Sequence, residues 1–310
     1  MSLKILLLGK DGQVGHELCR TLPALGGVVA LDRPEIDFER PDMLAELVRR
    51  EAPDVIVNAA AYTAVDRAEA EPDRARLVNA DAVAALAAAA DRLGGLLVHY
   101  STDYVFDGTK AGPYVETDAP APLGVYGATK LAGERAAAAA GRHYVLRTSW
   151  VHGVHGANFV RTMLRLARER EELRVVDDQT GAPTSASLLA EVTAALIGRA
   201  TRPASSPAPG VYHLVPRGHT TWHGFARFIL ERARDRGLSL RVQPEAVQAI
   251  PSSAYPTPAR RPQNSRLDTA KIAAALGITL PAWQDDAAPV VDALADELLS
   301  SDSTAPRALP

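Results

Sequence analysis

The chain has 310 residues, 47% of them hydrophobic and 23% charged, with a formal net charge of −3 at pH 7. This composition is typical of a globular protein with one large or two modest domains, and it offers no basic surface to nucleic acid. Because Cys19 is the only cysteine, no intramolecular disulfide can form, and a reducing cytoplasmic location is expected.

The first half alternates short apolar runs with helical patterns, which predicts a parallel β-sheet covered by helices. The N-terminal apolar run, residues 5–8, is too short for a signal peptide or a membrane span, so no membrane partner is expected. The predicted strands are residues 4–9, 28–32, 54–60, 96–101 and 144–150, and the predicted helices between them include residues 14–25, 42–53 and 81–94.

The sequence GKDGQVG, residues 9–15, follows the first strand and opens the first helix. Glycines allow a tight turn and close backbone approach, and a helix start offers unpaired N–H groups to an anion. In a Rossmann-type, doubly wound α/β sheet the pyrophosphate of a dinucleotide binds here. Contacts with a cofactor are therefore predicted for Gly9, Gly12, Gln13 and Val14. The spacing differs from GxGxxG, and three ordinary turn glycines are the alternative.

The second and third strands end in further candidate cofactor contacts. Asp32 lies 23 residues after Gly9, where a carboxylate can accept hydrogen bonds from an adenosine ribose and so favours NAD. Arg33 could accommodate a 2′-phosphate, which leaves NADH and NADPH both open, and a simple turn role for Asp32 is the alternative. Ala60 and Ala61 are small enough for a cofactor to lie against the backbone; tight helix packing is the alternative.

The fourth strand gives way to polar residues at Ser101, Thr102 and Asp103. Ligands of open α/β sheets bind outside the carboxyl ends of the strands. A hydroxyl and a carboxylate at this position therefore predict ligand contacts. A helix cap or an Asx turn is the alternative.

Tyr126 and Lys130 lie four residues apart in VYGATKLAGE, a run of helix formers without proline. Residues at i and i+4 are neighbours on a helix. An ammonium next to a phenol favours the phenolate and is expected to lower the tyrosine pKa toward the working pH, as suits a proton donor. Chance occurrence of Tyr-x-x-x-Lys on an amphipathic helix is the alternative.

Prolines and turn residues become frequent after about residue 170, which predicts a smaller C-terminal domain. Residues 199–210 are expected to form an exposed connector and residues 251–268 an extended loop. The predicted division is an NAD(P)-binding domain at 1–170, a mainly substrate-binding domain at 171–300 with part of 187–230 packing back on the first, and a disordered tail at 301–310.

Together these motifs resemble the extended short-chain dehydrogenase/reductase family. Segments spread from Gly9 to Leu267, including NAAAYTAVDRAE, HYSTDYVFDG, LRTSWV, DDQTGAPT and PARRPQNSRL, are similar to its dTDP-4-dehydrorhamnose reductases. The resemblance implies reduction of the 4-keto group of dTDP-4-dehydro-6-deoxy-L-mannose by NADPH or NADH to give dTDP-L-rhamnose. It also implies that Tyr126 is the general acid, that Lys130 holds the nicotinamide ribose and that the Thr102 hydroxyl orients the carbonyl.

The resemblance implies further contacts. The cofactor would touch Gly12, Gln13, Asp32, Asp37, Phe38, Ala60, Ala61 and Tyr62, and the dTDP-sugar would touch Thr102, Asp103, Tyr104, Trp150, Gln179 and Arg260. An indole such as that of Trp150 can pack on a deoxysugar face, with a core tryptophan as the alternative. Arg260 and Arg261 could pair with phosphate oxygens, with a merely solvated arginine as the alternative for one of them.

The chain departs from the family pattern at two positions. Tyr62 stands where histidine is common. Ser187 stands at a place where some relatives use acidic side chains to bridge a dimer through a divalent cation, so Mg²⁺ is not expected, although a homodimer is compatible with the sequence. His152 and His155 lack a third ligand and do not indicate a metal site.

Related activities remain as alternatives. A dehydratase of this fold would carry Asp-Glu after the threonine, whereas this chain has Thr102, Asp103 and Tyr104, which favours plain ketone reduction. A reductase or epimerase for another nucleotide-deoxysugar, and a non-catalytic NADP-binding regulatory subunit, are also open, since a fold does not settle a function.

Overall fold

The computed structural model describes residues 2–202 and 206–304, the last two of them by backbone only. Its centre is a parallel six-stranded sheet with the strand order β10-β5-β4-β3-β1-β2. The sheet strands are β1 Leu3–Leu8, β2 Gly26–Leu31, β3 Val55–Asn58, β4 Leu96–Thr102, β5 His143–Thr148 and β10 Gly210–His213. The predicted parallel sheet and its five predicted strands are confirmed.

Helices cover both faces of this sheet. They are α1 Gln13–Thr21, α2 Pro41–Glu51, α3 Val65–Ala68, α4 Pro72–Arg76, α5 Ala82–Leu93, α6 Val125–Ala137, α8 Ala186–Ala200 and α10 Ala270–Leu276, with a π-helical turn at Leu77–Asp81 before α5. Because successive strand residues point to opposite faces, Ile5 and Leu7 pack in one apolar cluster with α1 and α8, and Leu6 and Leu8 pack in another with α2 and α5. Both faces are therefore buried, as a continuous apolar strand requires.

The strand order reverses next to β1, which pairs in parallel with β2 on one side and with β3 on the other. Chain connections leave this point in opposite directions, so a crevice opens outside the carboxyl ends of the two strands. The glycine-rich turn and the polar residues after β3 and β4 all lie along this edge of the sheet.

A second apolar core lies in the C-terminal half. It joins α7 Phe159–Glu169, α9 Trp222–Asp235 and α11 Trp283–Thr304 with β7 Arg174–Val176 and β12 Gln248–Ile250, which pair in parallel. Two further short pairs are the parallel pair of β6 Val151–His152 with β9 Thr184–Ser185 and the antiparallel pair of β8 Thr180–Gly181 with β11 Thr220–Thr221.

Packing crosses the predicted division at residue 170 in both directions. Helix α7 precedes that residue but packs in the second core, whereas α8 and α10 follow it and pack in the first, and β10 completes the central sheet. The chain therefore passes between the two cores several times, and neither core is built from one continuous segment.

The predicted disordered tail at 301–310 is wrong for its first four residues, because α11 continues to Thr304. An ion pair between Arg168 and Asp302, with nitrogen and oxygen 2.6 Å apart, connects the last turn of α11 to α7. Residues 305–310 lie outside the described part of the chain.

The predicted connector at 199–210 begins within α8, which ends at Ala200, and residues 203–205 lie outside the described part of the chain. The predicted loop at 251–268 is confirmed apart from one 3₁₀ turn at Ser252–Ala254. Within the described residues, no helix is both long enough and apolar enough to span a membrane.

Candidate active site

A cleft of about 910 Å³ opens at the carboxyl edge of the sheet. Its lining includes every residue predicted to contact a cofactor or to take part in catalysis, and four of the six predicted substrate contacts. These residues are Gly9, Gly12, Gln13, Val14, Asp32, Asp37, Phe38, Ala60, Ala61, Tyr62, Thr102, Asp103, Tyr104, Tyr126, Lys130 and Trp150. We call the part around residues 9–14 and 32–39 the open end, and the part around residues 100–104, 126, 130 and 148–150 the buried end.

The glycine turn at the open end is set by close backbone contacts. Gly9 has φ +88°, and a Cβ on it would lie 2.6 Å from the Ala60 nitrogen. A Cβ on Gly15 would lie 1.8 Å from the Gly9 oxygen. Packing alone therefore explains these two glycines, as the turn alternative proposes. Gly12 is exposed at the start of α1, where its backbone borders the cleft and where unpaired helical N–H groups favour an anion.

Asp32 borders the cleft and also holds the turn. Its two carboxylate oxygens accept hydrogen bonds from the N–H groups of Asp11, at 3.1 Å, and Arg33, at 2.8 Å. The turn alternative is therefore correct for Asp32, and its contact with an adenosine ribose remains a prediction. Arg33 is exposed on the lining of the cleft.

Tyr62, the first departure from the family pattern, is fixed by charged neighbours. Its hydroxyl donates to Glu71 at 3.0 Å and accepts from Arg67 at 3.0 Å. Glu39 and Arg74, which also line the cleft, form an ion pair of 2.7 Å. The polar side chains on this side of the cleft therefore form hydrogen bonds and ion pairs with one another.

Helix α6 carries the tyrosine and lysine and packs closely through glycines. A Cβ on Gly127 would lie 2.1 Å from the Tyr104 oxygen, and one on Gly133 would lie 2.1 Å from the Asn79 oxygen. The helix can therefore approach the turn after β4 and the π-helical turn before α5 only with glycine at these two positions. At its start, Glu69 accepts a hydrogen bond from the Val125 N–H at 2.9 Å, and a carboxylate is favourable at this end of a helix dipole.

Tyr126 and Lys130 do not interact as the sequence predicted. Burial raises the pKa of Tyr126 to about 12, partly offset by a hydrogen bond with Thr102. The predicted lowering of this pKa by the Lys130 ammonium is wrong. Lys130 is buried, and its Nζ donates instead to the Tyr100 carbonyl at 2.7 Å. Burial lowers the pKa of Lys130 to about 8, while the charge of Glu134 opposes this shift.

Thr102 and Asp103 form a turn as well as lining the cleft. Thr102 Oγ1 donates to Asp103 Oδ1 at 2.9 Å and accepts from the Tyr104 N–H at 3.2 Å. The helix-cap alternative is therefore correct for Thr102, and the same hydroxyl also lowers the pKa of Tyr126. Burial raises the pKa of Asp103 to about 6, against the lowering effect of the Ser265 and Thr102 hydroxyls.

Trp150 packs closely against two residues of the C-terminal half. Its indole stacks on Trp222 with ring centroids 3.7 Å apart, and a Cβ on Gly181 would come within 2.6 Å of the ring. Its φ of +48° is in the left-handed region, which bulky residues rarely adopt. Trp222 also lines the cleft. The sequence reasoning missed Trp222, although a tryptophan at the start of a helix was a visible signal.

Gln179 and Arg260 are not among the residues that line the cleft. Gln179 is buried and donates to the Ser252 hydroxyl at 2.8 Å. Arg260 is exposed and borders a small neighbouring cavity with Tyr104 and Tyr126. Arg261 instead pairs with Asp66 at 2.8 Å. The predicted substrate roles of Gln179 and Arg260 remain predictions.

A buried ion pair joins α6 to β5. Arg147 and Glu134, 3% and 4% exposed, are joined by two hydrogen bonds of 2.7 and 2.8 Å, and Ser101 also donates to Glu134. The sequence reasoning missed this pair, and also Asn58 and His99; the available signal was a polar residue inside an apolar strand.

The described residues contain no group of three His, Cys, Asp or Glu side chains arranged to hold a metal ion. Ser187 lies beside Ser185, with hydroxyl oxygens 2.9 Å apart. His155 stacks on His16 with ring centroids 4.4 Å apart, and His152 is buried near the Trp150 carbonyl.

Comparison with known proteins places this architecture in a family. The family described as RmlD substrate binding domain matches residues 3–296. A dTDP-4-dehydrorhamnose reductase of Shigella flexneri is 53% identical over 91% of this chain and 95% of its own length. The chain belongs to the dTDP-4-dehydrorhamnose reductase family. A family member from Burkholderia thailandensis is 51% identical over 91% of this chain and 96% of its own length.

Solved structures of the family have the same fold. The dTDP-4-dehydrorhamnose reductase of Bacillus anthracis, in complex with NADP, is 32% identical and superposes with a TM-score of 0.86, covering 94% of this chain and 99% of its own. The Clostridium acetobutylicum member superposes with a TM-score of 0.85 at 34% identity. The predicted family and the Rossmann-type α/β class are thus confirmed.

Proposed function

We propose that this protein reduces the 4-keto group of dTDP-4-dehydrorhamnose with NADPH or NADH to give dTDP-L-rhamnose. The observation that carries the proposal is one cleft that joins the glycine turn at its open end to Thr102, Tyr126 and Lys130 at its buried end. Relatives at 51–53% identity carry the same activity in their names, and the Bacillus anthracis structure contains NADP.

The open end would hold the adenosine and pyrophosphate parts of the cofactor. The start of α1 at Gly12 and Gln13 offers N–H groups to the pyrophosphate. Asp32 and Arg33 lie where the adenosine ribose would bind, a carboxylate suiting a 2′-hydroxyl and an arginine a 2′-phosphate. The nicotinamide, when bound, supplies the hydride.

The protein's own side chains handle the proton. The high pKa of Tyr126, about 12, keeps its phenol protonated near neutral pH, so the group can donate its proton to the oxygen of the reduced carbonyl. Thr102, which lines the cleft together with Tyr126, would orient that oxygen. Trp150 and Trp222 present aromatic surface to the same cleft and would pack on the sugar.

The test is cofactor absorbance with purified protein, using NADH and NADPH in turn, against the 4-keto-L-sugar nucleotide generated in situ by upstream enzymes. We expect oxidation of the cofactor together with dTDP-L-rhamnose as product, and turnover slower by roughly 10²–10⁴-fold with Tyr126→Phe. Cofactor binding without oxidation would contradict the proposal and favour another sugar nucleotide or a regulatory subunit.

A cytoplasmic location fits the single cysteine and is part of the proposal. A homodimer remains a prediction, which light scattering of the purified protein would test. Mg²⁺ dependence is not expected, and an unchanged rate after treatment with EDTA is the predicted result.

A further inference from the structure

Three buried side chains form a chain of contacts beneath the catalytic helix. Asn58 ends β3, His99 lies within β4 and Lys130 lies on α6; their exposed fractions are 2%, 0% and 2%. Asn58 Nδ2 lies 3.2 Å from His99 Nδ1, and His99 Nε2 lies 3.3 Å from Lys130 Nζ. Asn58 and His99 are not among the residues that line the cleft, so they would act on the reaction only through Lys130.

The amide of Asn58 has a defined orientation. Its Oδ1 accepts a hydrogen bond from the Ala60 N–H at 3.2 Å. The Nδ2 group therefore faces His99, and an amide NH₂ can only donate. Consequently His99 Nδ1 must act as the acceptor.

His99 is neutral, because burial and the neighbouring Lys130 charge hold its pKa well below the ordinary value. A neutral imidazole carries one proton. Since Nδ1 accepts from Asn58, that proton lies on Nε2, facing Lys130 Nζ. An N–H group cannot accept from an ammonium, whereas it can donate to the lone pair of a neutral amine.

The other groups around Lys130 do not reverse the preference of the His99 Nε2–H group for a neutral Lys130 amine. The Tyr100 carbonyl accepts one Nζ proton, which both forms of lysine can provide. Tyr126, one helical turn away, is neutral near pH 7. Glu134 favours the ammonium, but its charge is shared with Arg147.

We propose that Asn58 is a positioning residue: by fixing the His99 proton on Nε2, it allows Lys130 to become a neutral amine near neutral pH. The lowered pKa of Lys130 agrees with this arrangement. The link to catalysis rests on the proposed function. When Tyr126 has given its proton to the substrate oxygen, Lys130 can return one through a water molecule in the cleft that both side chains line. An N–H bond of the ammonium breaks as the water takes this proton, the water gives one of its own protons to the phenolate to form the phenol O–H, and the resulting amine accepts the His99 Nε2–H.

The experiment uses NMR of the whole protein and needs no substrate. The chain contains five lysines and eight histidines, so ¹³Cε-lysine and ¹⁵N-histidine spectra are tractable; Lys130→Met and His99→Gln identify the two signals. We expect the Nε2–H tautomer for His99 in the unmodified protein. In Asn58→Asp a carboxylate accepts from Nδ1, so the tautomer should reverse and Nε2 should accept from the ammonium.

The Lys130 titration midpoint should then rise by about one pH unit, a tenfold change in proton affinity. Because Asn58→Asp also adds a negative charge, two further variants separate charge from tautomer. Asn58→Leu removes the donor to Nδ1 without adding charge and should raise the midpoint by a smaller amount. Asn79→Asp adds a buried carboxylate that faces Tyr62 and Thr129 instead of His99, and should move the midpoint less than Asn58→Asp does.

Three results would overturn the proposal: an Nδ1–H tautomer in the unmodified protein, an unchanged midpoint in both Asn58 variants, or equal shifts in Asn58→Asp and Asn79→Asp. The pH profile of kcat/KM in Asn58→Leu should shift in the same direction as the NMR midpoint. If no ketone is reduced at all, the proposed function fails while the NMR result still decides the role of Asn58.

Discussion

The pKa values at the two ends of the cleft shift in opposite directions. Beside the open end, two pKa values shift toward the charged form: a hydrogen bond from Lys10 lowers the pKa of the exposed Glu35 carboxyl, and a hydrogen bond to Glu39 raises the pKa of Arg74. At the buried end they shift toward the neutral form, because burial raises the pKa of Asp103 and Tyr126 and lowers that of Lys130.

Access of water explains this difference. A group that keeps its hydration gains from an opposite charge nearby, whereas a group removed from water loses the solvation of its charged form. The open end can therefore hold an anionic cofactor mainly through backbone N–H groups and surface charges. The buried end can hold and release protons near neutral pH.

Tyr126→Phe should have the largest effect, because it removes the proton donor from the buried end and little volume. We expect kcat to fall by roughly 10²–10⁴-fold, while NADPH binding, followed by fluorescence titration, stays close to that of the unmodified enzyme. Steady-state turnover within threefold of the original would remove the acid role from Tyr126.

Of these substitutions, Glu134→Gln should cause the largest loss of stability. It leaves Arg147 buried without a counter-charge, which typically costs about 3–5 kcal/mol. Urea denaturation at pH 7 measures this loss. A midpoint equal to that of the unmodified protein would mean that Arg147 is not buried as described.

Lys130→Met should stabilise the protein while damaging cofactor binding and turnover. In the folded state the pKa of Lys130 is about 8 instead of 10.5, so between these pH values the unfolded chain binds more protons and stability rises with pH. Below pH 8 the buried ammonium costs on the order of 3 kcal/mol.

The gain from Lys130→Met should therefore be greatest below pH 8 and should vanish toward pH 10.5. Denaturation of both proteins across this range gives the difference directly. A gain that is independent of pH would show that packing of the methionine, and not the loss of charge, is responsible.

Glu35→Gln is the counterpart of Glu134→Gln at the open end and should have the smallest effect. Glu35 pairs with Lys10 at the surface, where water and salt screen the interaction. We expect no measurable change in the denaturation midpoint. A loss of stability as large as that of Glu134→Gln would show that the ion pair at the open end contributes as much as the buried ion pair does.

Local patterns in the sequence determined five of the six strands of the central sheet, the turn at Gly9 and the placement of Tyr126 and Lys130 on one helix. Apolar periodicity, turn glycines and the i, i+4 spacing act over a few residues and do not depend on distant contacts. The known carboxyl-edge rule for α/β sheets then placed Thr102 and Asp103 at the same cleft.

Only the tertiary structure decided the electrostatics and the far wall of the cleft. The direction of the Tyr126 pKa shift depends on burial under several elements, and it is opposite to the shift that the lysine alone predicted. Trp222 meets Trp150 from 72 positions further along the chain, and Asn58, His99 and Lys130 come from three separate elements. Loss of hydration and contact between distant segments both arise from packing of the whole chain, and no short stretch of sequence encodes either.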